Sequence, residues 1–168
     1  MIYTSGALSR KGVNIRYQEK TMEKANNLLR QAGYYEERRV DISDILEMYE
    51  KYGYHCNDAQ EAFMAHYAGL EIHYNHPMWN QDILLRLDPI KAQSMITMDV
   101  VEEYMKFLQD DLLIIGDIER EHMTLFLSEK GYYFGAYDDC LIDFGDDFEA
   151  MLHKLASGER GKLQIVSL

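Results

Sequence analysis

The chain is short of cysteine, proline and basic residues, and each shortage closes off a class of protein. Cys56 and Cys140 are the two cysteines in 168 residues. They are too few for the disulfide framework of a small secreted domain and point to a reducing compartment, so a cytoplasmic location is expected. The two prolines, Pro77 and Pro89, fall at loop edges, and no low-complexity tract or internal repeat breaks the chain. No apolar stretch approaches the ~18 residues that a membrane span needs. The segment from Met1 to Ser9 lacks a basic start followed by an apolar core, so no secretory signal is expected.

Positive charge is the next scarcity: 17 Lys and Arg stand against 29 Asp and Glu, a net charge of −12. The imbalance is uneven. Residues 1–40 hold eight basic and four acidic residues, a net +4, so the remaining 128 carry −16. Between Gly131 and His153 there is no Lys or Arg, while Asp138, Asp139, Asp143, Asp146, Asp147 and Glu149 all carry negative charge. Such a field repels phosphate backbones and attracts basic partners, so no nucleic-acid partner is expected. The plainer reading, an acidic surface that keeps the protein soluble, stays open beside it.

What the chain does contain is enough apolar material for a core. At 47% hydrophobic residues it has the composition of one soluble domain, large enough to bury roughly 70% of its unfolded surface. Residues 1–20 show little periodicity and read as a loosely ordered lead-in, with one α+β domain over 21–168. Thr21 is placed to cap a helix carrying Met22, Ala25, Leu28, Leu29 and Ala32 at helical spacing, stopped by Gly33. Val40 and Ile42 read as a short extended piece. Asp44 with Glu47, and Asn57 with Gln60, match capping boxes of two further helices.

After Gly69 the period changes from helical to two. Strands are expected at Leu70–Tyr74, Ile83–Leu87 and Leu112–Ile115, with a loop over Asn75–Asn80. Between the second and third of these lies a helix capped near Thr97. Met123–Leu127 and Tyr132–Ala136 flank Ser128-Glu129-Lys130-Gly131 as a hairpin, with Gly131 at the position needing positive φ. Leu141–Phe144 is one more strand, and Asp146 opens a last helix through Leu155. Helices first, strands in a meander and a closing helix predict an α+β fold with a mainly antiparallel sheet.

No catalytic constellation emerges from the residue types. His73, His76 and Asp82 sit near one another in sequence, but on a strand and loop, without an HExxH or CxxC pattern. Cys56 adjoins His55, yet neighbouring residues rarely face each other; Cys140 lies between Asp139 and Asp143, which disfavour a thiolate. The run from Asp138 to Asp147 lacks the alternating ligands and terminal Glu of a calcium loop. Gly131 and Gly135 are followed by neither Lys nor a helix start, so they form no phosphate loop. No enzyme activity, metal or cofactor is expected.

Thirteen tyrosines are many for this length, and Tyr anchors interfaces because it buries much area with few rotors. Part of that set belongs to the core, with the hydroxyl at the surface. Tyr132, Tyr133 and Tyr137 lie beside Asp138, Asp139 and Asp143, and these six residues are the expected contact set for a basic protein partner.

The ordered landmarks Ala32-Gly33-Tyr34, Arg38-Arg39-Val40-Asp41-Ile42, Ala68-Gly69-Leu70-Glu71-Ile72, Asp88-Pro89, Ile115-Gly116 and Tyr133-Phe134-Gly135 resemble the third clade of the SUKH immunity-protein superfamily. The likeness runs from about Met22 to about Leu155. Tyr34 stands where that clade usually has Trp, and Ala68 where it has a second Gly. The resemblance implies an α+β fold and a bacterial protein encoded beside a secreted polymorphic toxin. It would bind the toxin domain, a nuclease among the options, and block it. A regulatory or scaffold role, tied to the cell wall or secretion, is the alternative within the same superfamily. The resemblance brings no catalytic residues with it.

Overall fold

The computed structural model describes residues 9–167. In chain order these residues form α1 (Ser9–Gln31), α2 (Ser43–Tyr52), α3 (Asp58–Tyr67), β1 (Glu71–His76), β2 (Gln81–Arg86), α4 (Pro89–Gln93), α5 (Met98–Leu108), β3 (Leu112–Ile118), β4 (Met123–Ser128), β5 (Tyr133–Tyr137), β6 (Cys140–Gly145), α6 (Phe148–Ser157) and β7 (Lys162–Ile165). The seven strands make one sheet in sequential order, every neighbouring pair antiparallel. The architecture is a single α+β domain with helices before the sheet and α6 near its end.

α6 packs against both β1 and β6 as well as α1. In a flat sheet β1 and β6 would lie five strand spacings apart, about 24 Å, whereas a helix with its side chains is about 10–12 Å across. The sheet is therefore curled around α6. The same closure brings the Gly158 cap of α6 against the β1–β2 turn, where an added Cβ would stand 2.9 Å from Pro77 Cγ. Lys24 of α1 ties the end of α6 down by donating to the Ala156 carbonyl at 2.8 Å, the pairing a helix C-terminus favours.

The opposite face of the sheet is covered by α2, α4 and α5. The Tyr49 hydroxyl donates to the Ile114 carbonyl at 2.6 Å, α4 packs on β3, and Tyr104 of α5 meets Phe126 edge to face. With helices on both sides, β3 and β4 are buried at every position, which is why Leu112–Ile115 reads as an unbroken apolar run. The edge strand β1 instead alternates exposed and buried residues. β2 meets β3 through two register pairs, Leu85 with Ile118 and Arg86 with Asp117. Beside them a Cβ on Gly116 would lie 2.0 Å from the Arg86 carbonyl oxygen, so glycine is required where the strands close up.

Several expectations change in detail. The helix expected from Thr21 begins at Ser9, so the boundary drawn at residue 21 falls inside α1; residues 1–8 of the expected lead-in lie outside the described residues. Of the described side chains in α1 before Ala25, all but the half-buried Thr21 are exposed; a helix stretch whose described residues face solvent leaves no apolar period to read. α2 is not capped by Asp44 and Glu47. Its N-cap residue is Ile42, which makes no side-chain cap bond, while Asp41 just before it accepts from the Ser43 backbone N–H at 2.9 Å. Val40 and Ile42 form no strand. The Asn57–Gln60 capping box is present in full, and Gly131 has φ +91. Asp147 rather than Asp146 caps α6, accepting from Ala150 N–H at 2.7 Å. α4 and β7 were not anticipated.

Candidate partner-binding surface

β5 and β6 are joined by Asp138 and Asp139 alone, since Tyr137 pairs with Cys140. Asp138 takes the left-handed conformation, φ +48, one that Asp tolerates better than most residues. Two long-range bonds hold the turn: the Tyr104 hydroxyl donates to the Asp138 carbonyl at 2.5 Å, and Val166 N–H donates to the Asp139 carbonyl at 2.7 Å. The backbone is thereby pinned while both residues stay exposed. Tyr137, half-buried beside them, has its hydroxyl held above the usual tyrosine range by burial and by Cys140.

Tyr137 also lines a cleft of about 390 Å³ at the mouth of the curled sheet. Its floor is apolar, with Met123, Phe144 and Leu155, and Glu121 enters from the β3–β4 loop. Trp79 and Met78, in the β1–β2 turn, form one wall and Leu163 of β7 another. Met78 is 68% exposed, Trp79 51% and Leu163 52%, a cluster of large apolar groups that a monomer rarely leaves in water without use. Trp79 is held by stacking on His76, with ring centroids 4.0 Å apart and planes 14° from parallel. The His76 ring is itself fixed by accepting from Met78 N–H at 3.3 Å.

The six sequence-predicted contact residues divide. Tyr137, Asp138 and Asp139 lie together at the turn. Tyr132, exposed, and Asp143, half-buried, lie toward the other end of the same two strands, and Asp143 is engaged locally, accepting from Gly145 N–H at 2.8 Å. Tyr133 is a correction. It is 8% exposed, packed against Phe63 and Phe148, and burial raises its hydroxyl pKa; its ring is spent on the core. The β7 residues are the wall that sequence reasoning missed, whereas Trp79 is legible there as a loop-placed aromatic. The signal for β7 was present as the alternation Lys162-Leu163-Gln164-Ile165.

The chemical groups singled out earlier do not converge. His73 Nδ1 and Asp82 Oδ2 meet across β1 and β2 at 3.0 Å in solvent, while His76 is buried on the other face of β1. Burial and Glu61 push the Cys56 thiol up to about 11. Cys140 is raised too, by desolvation and by its bond to Asp139. Among the described residues, His55, Asp111 and Glu129 bring one ligand atom each within 4.8 Å of one another, all three exposed. No described helix is long and apolar enough to cross a membrane.

Fold and surface together define an α+β domain with a pinned acidic turn beside an aromatic-walled cleft. The SUKH-3 immunity protein family matches residues 21–158, and the chain belongs to that family. Its role is accordingly that of an immunity protein. No curated protein and no solved structure matches the chain.

Proposed function

We propose that this immunity protein acts in the cytoplasm by binding a cognate toxin domain and covering a basic active-site cleft, the toxin being a nuclease. The observation that carries this reading is the Asp138–Asp139 turn: two exposed carboxylates on a backbone pinned from both sides, next to exposed Trp79, Met78 and Leu163. Charges on a rigid turn steer a basic partner at long range without paying to order a loop. The neighbouring aromatic and aliphatic groups then supply the desolvated area that slows dissociation. A −16 region also excludes nucleic acid from the space it occupies. The contact set we propose is Tyr137, Asp138 and Asp139, with Tyr132 and Asp143 at its far margin.

The test is to co-express the chain with the toxin domain encoded beside it, isolate the complex, and assay nucleic-acid cleavage with and without the immunity protein. Cleavage suppressed at one-to-one stoichiometry supports the reading. Stable binding with cleavage unchanged would point instead to a scaffold role, and absence of a complex would remove the toxin as partner.

A further inference from the structure

The cleft contains more chemistry than an apolar contact needs. Glu121 lines it half-buried, and it has no hydrogen bond or ion pair among the described residues. Arg120 and Arg160 stand exposed at its rim, and neither forms an ion pair with Glu121. Burial holds the Glu121 carboxyl above its ordinary range, opposed by His76. An unpaired carboxylate at the wall of an apolar cleft is an unfavourable arrangement that an incoming cation relieves. The indole of Trp79 is fixed by His76 on one face while still 51% exposed, and a rigid aromatic ring lining the same cleft as a carboxylate favours a cation that also stacks. The floor of Met123, Phe144 and Leu155 is matched to a methylene stem.

We propose that this cleft receives one arginine side chain from the protein partner, its guanidinium between the Trp79 ring and the Glu121 carboxylate and its stem on the apolar floor. The proposal rests on the reading that the chain binds a protein, and it deepens that reading by naming the anchor. Arginine is favoured over lysine because a planar guanidinium stacks on an aromatic face and takes a carboxylate with two parallel donors, whereas an ammonium is a compact, strongly hydrated charge. The cavity, at about 390 Å³, lies in the range of sites that enclose a small ligand.

Trp79 is the sole tryptophan of the chain, so its fluorescence reports on the cleft directly. The full chain is titrated with N-acetyl-arginine methylamide at constant ionic strength, and in parallel with the uncharged N-acetyl-citrulline methylamide. A saturable emission change is expected with the arginine probe. Loss of the charge-assisted pair in Glu121→Gln should weaken it about tenfold, and the citrulline probe should give no saturable change. Should circular dichroism find Glu121→Gln unfolded, Glu121→Asp replaces it; its carboxylate is drawn back by one methylene, and the response should again weaken. A purely linear response, an equal response in parent and variant, or equal saturation by citrulline overturns the proposal. The two readings fail separately: a silent probe with an intact toxin complex removes the arginine anchor alone, whereas absence of the complex in the parent removes the binding role.

Discussion

Replacing either member of the Arg86–Asp117 pair should open the seam that joins the β1–β2 hairpin to the rest of the sheet. The guanidinium donates from Nη2 to Asp117 Oδ2 at 2.7 Å and from Nε to Oδ1 at 3.3 Å, a fork-to-fork contact. The side chains are 13% and 3% exposed, so solvent screens the pair little. Removing one partner of a buried pair costs about 3–5 kcal/mol, because the other charge is left uncompensated. The two removals should not be equal. In Asp117→Leu the guanidinium keeps Glu119, 3.4 Å away and half in solvent, placing that variant near the lower bound. In Arg86→Met the Asp117 carboxylate, 2% exposed as a residue, is left with no cation, placing that one near the upper bound. For a chain of this size these losses lower the melting temperature by about 6–20 °C. The double variant Arg86→Met, Asp117→Leu should be more stable than Arg86→Met alone, since a buried pair exchanged for apolar groups is often neutral. Urea unfolding of all four proteins at low and high salt reads this directly. Single variants within about 0.5 kcal/mol of the parent, or strictly additive effects in the double variant, would refute the argument.

Other consequences are checked as simply. Changing Asp138 and Asp139 together to Asn should slow association with the toxin domain and flatten its salt dependence, leaving the melting temperature unchanged, as stopped-flow kinetics at several ionic strengths would register. Asp147→Ala should cost about 1 kcal/mol through the lost cap on Ala150 N–H, and Asp146→Ala close to nothing, by denaturant titration. Tyr133→Ala should destabilise the fold by about 3–5 kcal/mol, as expected for an aromatic removed from a packed cluster, again by denaturant titration. At pH 8 the Cys56 thiol, at about 11 against an ordinary 9.0, should alkylate on the order of 100-fold more slowly in the folded protein than in the unfolded one. The folded state favours the neutral thiol, so this group's contribution to stability is complete below pH 9 and lost as pH rises towards 11.

Local chemistry was legible in the sequence at several positions, though not at the caps of α2 and α6. The Asn57–Gln60 box, the Gly131 turn and the alternation along β1 each depend on residues a few positions apart, and all are found in the structure. So too was the α+β class, because the switch from helical to two-residue spacing after Gly69 follows from geometry within each element. Tertiary packing decided the rest. Nothing local distinguishes Tyr133 from Tyr132; the burial of one and exposure of the other at 41% follow from which face of β5 meets Phe63 and Phe148. The first half of α1 escaped because its described side chains there are nearly all exposed, leaving no period to detect. The cleft is the clearest case. Trp79, Glu121, Tyr137 and Leu163 come from four separate segments, and only the curl of the sheet about α6 brings a turn near its first edge against the strand at its last.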